Sequence, residues 1–158
     1  MLRSVLLVLL IAVSGVSVSA ESPFQALSEI LDLEASLKAV STDPALIDEL
    51  RDNQRLVLFT GTIASRRVIN GNEADFIGEL ELIDGEWHGT RSVSMYKSYL
   101  RLEGPRYFGT IPERRSRRPD PREIDTNTRY LVIGEVVEQR REDEGVFPVV
   151  RVLFLRRI

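Results

Sequence analysis

The sequence contains no cysteine, one histidine, one tryptophan and two methionines among its 158 residues. Without cysteine there is no disulfide framework and no thiol nucleophile, and a metal site built from Cys or several His side chains is excluded. Stability must therefore come from a packed apolar core. Lysine is also scarce, since Lys38 and Lys97 are the only two, and arginine carries nearly all of the positive charge.

The chain also lacks an excess of positive charge, because its formal net charge is −3. A general nucleic-acid binder needs a basic footprint that displaces counterions from phosphates. The charge balance therefore predicts that nucleic acid is not the partner.

The first twenty residues resemble a secretory signal peptide. Arg3 precedes the apolar run Val5–Val13, and Val18-Ser19-Ala20 supplies small residues for cleavage after Ala20. An uncleaved N-terminal anchor is the alternative, although the apolar run is short for a membrane span. The pattern predicts a periplasmic or secreted protein with no transmembrane span after cleavage.

Residues 21–55 show helical spacing of apolar residues and are predicted to form a helical appendage. Ser22-Pro23-Phe24-Gln25 has the features of a helix start, and Asp43-Pro44 provides a second one. A helical hairpin and a kinked helix laid on the following domain both fit this pattern. The segment is either a structural appendage or a helix that docks on a partner.

Residues 56–158 are predicted to form a β-domain with a long loop at 104–128. Gly61 lies within the first strand, where it indicates a bulge or a bend at a barrel corner. Asp84-Gly85 indicates a turn before a short return strand at 86–90, and a shift in alternation indicates a second bulge in the third long strand. The predicted long strands are Leu56–Ile69, Ala74–Ile83, Arg91–Glu103, Arg129–Gln139 and Val146–Arg157.

Two of these strands share a spacing of apolar residues around a glycine, Leu58-x-x-Gly61-x-Ile63 and Val132-x-Gly134-x-Val136. On these residues the chain from Leu56 onward resembles the bacterial OB-fold family of small exported, periplasmic proteins. The predicted fold class is accordingly mainly β, a small five-stranded OB-like barrel with an N-terminal helical segment. The resemblance implies a non-enzymatic role in the cell envelope.

Catalytic chemistry finds little support, and we predict no catalytic residue, no metal site and no cofactor. A catalytic base needs a nucleophile and an orienting acid within reach; the sequence has no Gly-x-Ser-x-Gly elbow and no thiol, so we expect His88 to be a surface or rim residue. Glu79 and Glu81 share one strand face and leave a hydrolase as a third hypothesis. Asn70–Asp75 places oxygen ligands near a glycine but lacks the spacing of a calcium loop.

Aromatic and arginine side chains supply the candidate binding residues. The main hypothesis is a periplasmic OB-like interaction module that docks on an envelope protein assembly, and the alternative is a barrel that binds a small ligand or a glycan. An anionic glycan or lipid headgroup would suit the arginine-rich run. The candidate residues are Trp87, Arg91, Tyr96, Tyr99, Arg101, Tyr107, Phe108, Arg114, Arg115, Arg117 and Arg118.

Overall fold

The computed structural model describes residues 29–112 and 120–158. The predicted signal peptide, the first part of the predicted helical appendage and the run Arg114–Arg118 lie outside these ranges. A two-residue strand, β1 (Leu31–Asp32), precedes two helices, α1 (Leu37–Thr42) and α2 (Pro44–Asp52). Five long strands and a short 3-10 helix (Pro105–Tyr107) follow: β2 (Leu56–Asn70), β3 (Ile77–His88), β4 (Ser92–Glu103), β5 (Arg129–Glu142) and β6 (Gly145–Arg157).

The five long strands close into a barrel. β2 pairs antiparallel with β3, and β3 with β4. β6 then lies parallel to β4 and antiparallel to β5. Antiparallel pairing of β5 with β2 completes the circle. This strand order is that of a five-stranded OB barrel, and the predicted fold class is confirmed.

β2 belongs to both sides of the barrel because it changes partners along its length. Leu56–Thr62 pairs with β5, and Thr62–Asn70 pairs with β3. Gly61 lies at the change, where a Cβ atom would stand only 2.6 Å from the carbonyl oxygen of Ile83. Of the two predicted alternatives, the barrel corner is confirmed, because β2 changes partners at this glycine. The bulge lies further along, where the register shifts between Ile63 and Ser65. Gly61 also permits the close approach of the two strands.

The β3–β4 hairpin is longer than the sequence pattern indicated. Asp84 and Gly85 are paired strand residues, and the register runs without a shift from Ile77 opposite Glu103 to His88 opposite Ser92. The predicted turn at Asp84-Gly85, the short return strand and the second bulge in the third strand are therefore wrong. Gly89, with φ of 67°, makes the turn instead, because glycine adopts positive φ without steric cost.

Both ends of the barrel are closed by packed side chains. Asp43 caps α2 at its predicted start, where Oδ1 accepts a hydrogen bond from the Ala45 amide at 3.0 Å. One end is covered by α1 and α2, which bury Leu37, Val40, Ile47 and Leu50, and the other by Tyr107, Ile111 and Ile124.

Each fully buried aliphatic side chain contributes about 1.5–3 kcal/mol, so the barrel interior is a stabilising core. Any binding surface must therefore lie on the outside. The division of the chain into 21–55 and 56–158 stays a prediction. Within the described residues, no helix has the length and apolar character needed to cross a membrane.

Candidate functional site

The outer surface of the β3–β4 hairpin carries most of the predicted site residues that the structure describes. Leu80 and Leu82 on β3, and Leu100 and Leu102 on β4, point into the core. Alternation therefore turns the intervening residues outward. The outward cross-strand pairs are Glu79–Arg101, Glu81–Tyr99, Ile83–Lys97, Gly85–Met95 and Trp87–Val93.

Near the barrel this surface is occupied by a buried carboxylate. The Glu79 side chain is only 4% exposed and forms ion pairs with Arg67 and Arg140. Arg140 donates two hydrogen bonds to it, at 3.0 and 2.6 Å. Burial raises the pKa of Glu79, but the hydrogen bonds from Arg140 and Arg67 outweigh burial and bring that pKa below its ordinary value. Glu79 is a charged anchor for the β5–β6 hairpin.

A second set of contacts fastens the same hairpin over β4. Tyr99 donates a hydrogen bond to Glu142, and Lys97 pairs with Glu142 at 2.7 Å. Lys97 also lies 4.1 Å from the ring centroid of Phe147, and Arg140 lies 3.9 Å from that of Tyr99. We call these residues the ion-pair cluster: Arg67, Glu79, Lys97, Tyr99, Arg140 and Glu142.

The ion-pair cluster leaves little attraction for a charged ligand. Its cations face carboxylates, and neighbouring Arg101 is itself paired with Glu138 at 2.7 Å. The cleft at the cluster has a volume of about 240 Å³. An anionic ligand would have to break pairs that already satisfy both charges. Tyr99 and Arg101, two of the predicted binding residues, are therefore engaged in holding the fold.

The half of the hairpin nearer its turn is exposed and apolar, in contrast to the ion-paired half. Pairing of β3 with β2 ends at Ile83, and pairing of β4 with β6 is confined to Tyr99–Arg101. Residues 84–88 and 92–98 therefore pair only with each other and form a two-stranded ribbon, whose inner face packs against α1 through Tyr96. Trp87 is 72% exposed, Met95 55% and Val93 43%. We call these three residues the hairpin platform. Sequence reasoning missed Val93 and Met95, although each faces outward beside Trp87 or Gly85.

A cleft of about 490 Å³ runs along one side of this ribbon, between it and α1. Lys38 of α1 pairs with Glu86 at 2.6 Å, and Tyr96 donates a hydrogen bond to the same carboxylate at 2.8 Å. The hydrogen bond from Lys38 and then that from Tyr96 lower the pKa of Glu86. Trp87 lines the cleft. Tyr96, a predicted binding residue, is mostly buried and holds the ribbon against α1.

The remaining predicted residues are spread over the molecule. Arg91 lies at the turn beside the hairpin platform and is exposed. Tyr107 is buried at the opposite barrel end and donates a hydrogen bond to the Val152 carbonyl at 3.1 Å. Phe108, 41% exposed, packs edge-on against Phe76 with ring centroids 6.1 Å apart. The structure thus joins Trp87 with Arg91 and separates both from Tyr107 and Phe108.

The lone histidine lies on the same ribbon. The Nε2 atom of His88 is 2.9 Å from the Ser94 hydroxyl oxygen, and both residues belong to the exposed hairpin. Among residues 29–112 and 120–158, no group of three or more His, Asp or Glu side chains is placed to hold a metal ion.

Comparison with known proteins gives structural likenesses only. No protein-family model matches the sequence, and no curated protein matches it. The PriB protein from Ralstonia solanacearum matches 65% of this chain and 95% of its own, with a TM-score of 0.40 and 11% identity. These likenesses show the fold alone. The chain has an OB fold.

Two further solved structures of this fold are single-stranded DNA-binding proteins. The wild-type protein from Thermus aquaticus matches over 65% of this chain and 49% of its own, with a TM-score of 0.41 and 18% identity. The Plasmodium falciparum protein in complex with ssDNA matches over 65% and 93%, with a TM-score of 0.44 and 11% identity.

These findings correct several expectations. The OB-fold part of the resemblance holds, but the three solved structures named above, PriB and two single-stranded DNA-binding proteins, do not support the exported, periplasmic family in particular. Envelope docking, a glycan or lipid partner, the exclusion of nucleic acid and a periplasmic or secreted location are contradicted.

Nucleic acid was excluded on the basis of the net charge of the whole chain, which averages over all of its surfaces. A net charge of −3 over the whole chain does not describe one surface of the barrel, because several carboxylates, Glu79, Glu86 and Glu142 among them, are paired with cations of the same chain. The predicted location depended on Met1–Ala20, which lies outside the described residues.

Proposed function

We propose that this protein is a non-catalytic OB module that binds single-stranded nucleic acid, with unpaired bases stacking on the hairpin platform. The observation that carries the proposal is the exposure of Trp87, 72%, near the turn of the two-stranded ribbon. OB barrels bind oligonucleotides on the surface of their second and third strands, which are β3 and β4 here. Aromatic side chains there stack on any base, because every base has a π-face.

The platform suits a base better than a charged group. Trp87, Val93 and Met95 supply apolar area, and the nearest acidic groups along the ribbon, Asp84 and Glu86, are each paired with a cation. Stacking of one base on an aromatic side chain contributes about 1–3 kcal/mol. Binding through this surface is therefore dominated by stacking.

Electrostatic attraction adds a smaller contribution. Arg91 lies at the ribbon turn, and within the described ranges no carboxylate pairs with it. One phosphate contact of this kind gives a salt dependence with a slope of about −0.7 for a single strand. Strong binders that neutralise many phosphates have much steeper slopes. The expected behaviour is weak, sequence-tolerant binding with a shallow dependence on salt.

The surface lacks the arrangement that acyl-transfer chemistry requires. His88 and Ser94 are within hydrogen-bond distance, but in the described part of the chain no carboxylate hydrogen-bonds to the His88 ring. A nucleophile and base need an orienting third group and donors for the oxyanion. Glu79 and Glu81 are also unsuited to glycoside hydrolysis, because Glu79 is already paired with two guanidinium groups.

The proposal is tested by fluorescence anisotropy of a labelled thymidine oligonucleotide of about 15 nucleotides. Replacement of Trp87 by alanine should weaken binding by at least about fivefold, which corresponds to the lower end of one stacking contact. The matched control is Leu33→Ala, since Leu33 is 69% exposed but lies in the N-terminal region. Equal binding by the Trp87→Ala and Leu33→Ala variants would contradict the proposal, and so would no binding by the unmodified protein.

A further inference from the structure

A second surface, remote from the ribbon, has the features of a small-molecule site. A cleft of about 370 Å³ lies where the end of β6, the 3-10 helix and residues 120–124 meet. We call it the Arg106 cleft. Its apolar wall is formed by Tyr107, Pro121, Ile124, Leu153, Phe154 and Leu155. The volume lies at the small end of the 300–1,000 Å³ range of ligand pockets.

A β-bulge creates the apolar wall. Ile133 pairs with Phe154 and the next residue, Gly134, pairs with Val152, so Leu153 is an extra residue without a partner on β5. Leu153 and Phe154 are consecutive, yet both are exposed, 42% and 46%. In a regular strand one of the two would point into the core. Bulges are over-represented next to binding and active sites because they redirect side chains.

The rim of the cleft carries three arginines and one carboxylate, Glu123, whose Oε1 accepts a hydrogen bond from the Asp120 amide at 3.3 Å. Arg122 and Arg157 carry partners, Asp120 at 3.0 Å and Asp125 at 3.4 Å. Arg106 differs from both: its guanidinium lies 4.5 Å from the Tyr107 ring centroid and donates one hydrogen bond to the Val152 carbonyl at 2.9 Å. Within the described residues it has no carboxylate partner. A guanidinium has five N–H donors in a fork that matches a carboxylate.

We propose that the Arg106 cleft binds a small amphipathic carboxylate, with the tail against Leu153 and Phe154 and the carboxylate at Arg106. One guanidinium without a carboxylate partner matches a single negative charge. The apolar wall matches a hydrocarbon or aromatic tail of roughly ten non-hydrogen atoms. This site does not depend on nucleic-acid binding, because it shares no residue with the hairpin platform.

Isothermal titration of the full chain with octanoate, octanol and octylammonium tests the proposal. Octanoate should bind about three- to fivefold more tightly than octanol, the range of one exposed ion pair, and octylammonium should bind most weakly. Arg106→Gln should abolish the preference for octanoate over octanol. The matched control is Arg141→Gln, since Arg141 is an exposed arginine on the β5–β6 hairpin, and it should retain the preference.

Methyl NMR spectra of the unmodified protein locate the ligand without any substitution. Octanoate should shift the methyl signals of Leu153, Leu155 and Ile124 more than those of Val93 and Met95. Equal affinities for octanoate and octanol, a preference that survives Arg106→Gln, shifts centred on Met95, or no binding would each overturn the proposal.

Discussion

The ion-pair cluster permits a quantitative prediction, because Glu79 has two partners in unequal surroundings. Arg140 is 25% exposed and donates two hydrogen bonds to Glu79, whereas Arg67 is 65% exposed. Removing one partner of a buried ion pair costs about 3–5 kcal/mol. Since Arg67 remains and Arg140 is partly exposed, we expect Arg140→Met to lower the free energy of unfolding by about 2–3 kcal/mol.

The corresponding change at Arg67 should be small. An exposed salt bridge contributes about 0.2–1 kcal/mol, so Arg67→Met should cost no more than that. Glu79→Gln removes the buried charge that Arg140 compensates. The double variant Glu79→Gln/Arg140→Met should therefore be more stable than the sum of the two single losses implies, because it leaves no unpaired buried carboxylate.

The assay is urea unfolding followed by far-ultraviolet circular dichroism. Intrinsic fluorescence is a poor probe of this transition, since the single tryptophan, Trp87, is exposed in the folded state. Equal destabilisation by Arg140→Met and Arg67→Met would refute the reasoning. A loss below about 1 kcal/mol for Arg140→Met would also refute it, because the pair would then behave as a surface contact.

Further predictions concern acid stability, strand contact and helix capping. Folding lowers the pKa of Glu79. The ionised Glu79 therefore contributes fully to the free energy of unfolding above its unfolded pKa of about 4.3. This contribution is lost as the pH falls through the lower pKa of the folded state. Urea midpoints should fall below about pH 4, and less so in Glu79→Gln; equal profiles would contradict this.

Gly134→Ala would place a Cβ atom 2.5 Å from the Arg151 carbonyl oxygen, and it should lower the free energy of unfolding in urea by about 1–3 kcal/mol. Gly71→Ala should leave that free energy nearly unchanged. Similar losses for the two variants would contradict a close approach of β5 and β6 at Gly134. Asp43→Ala should cost about 1 kcal/mol of the unfolding free energy, and an unchanged urea midpoint would contradict capping.

The barrel could be predicted from sequence because its strands show regular signals. Gly61 and Gly134 interrupt apolar runs of strand length, and both positions proved to be places where two backbones approach closely. Pairing of Val57 with Gly134 brings the two segments together. The Asp84-Gly85 signal misled because tertiary pairing with Tyr96 and Met95 continues the ribbon past it.

The site was less predictable, since cross-chain pairing decided which side chains remained available. Tyr99 and Arg101 looked equivalent to Trp87 in the sequence, but the β5–β6 hairpin folds over them and supplies Glu142 and Glu138. No local pattern indicates that a hairpin some forty residues away will cover a strand. The bulge at Leu153 was hidden for the same reason, because a bulge is defined only by the register of two strands.

The measurement that tests the central claim most directly is a titration of the intrinsic fluorescence of the protein with an unlabelled thymidine oligonucleotide. Trp87 is the only tryptophan, so any change in emission reports on the hairpin platform alone. We predict saturable quenching by single strands, much weaker quenching by a duplex of the same length, and a shallow dependence on salt. Emission that stays constant while single-stranded DNA binds would show that the bases do not stack on Trp87, and the account would be wrong.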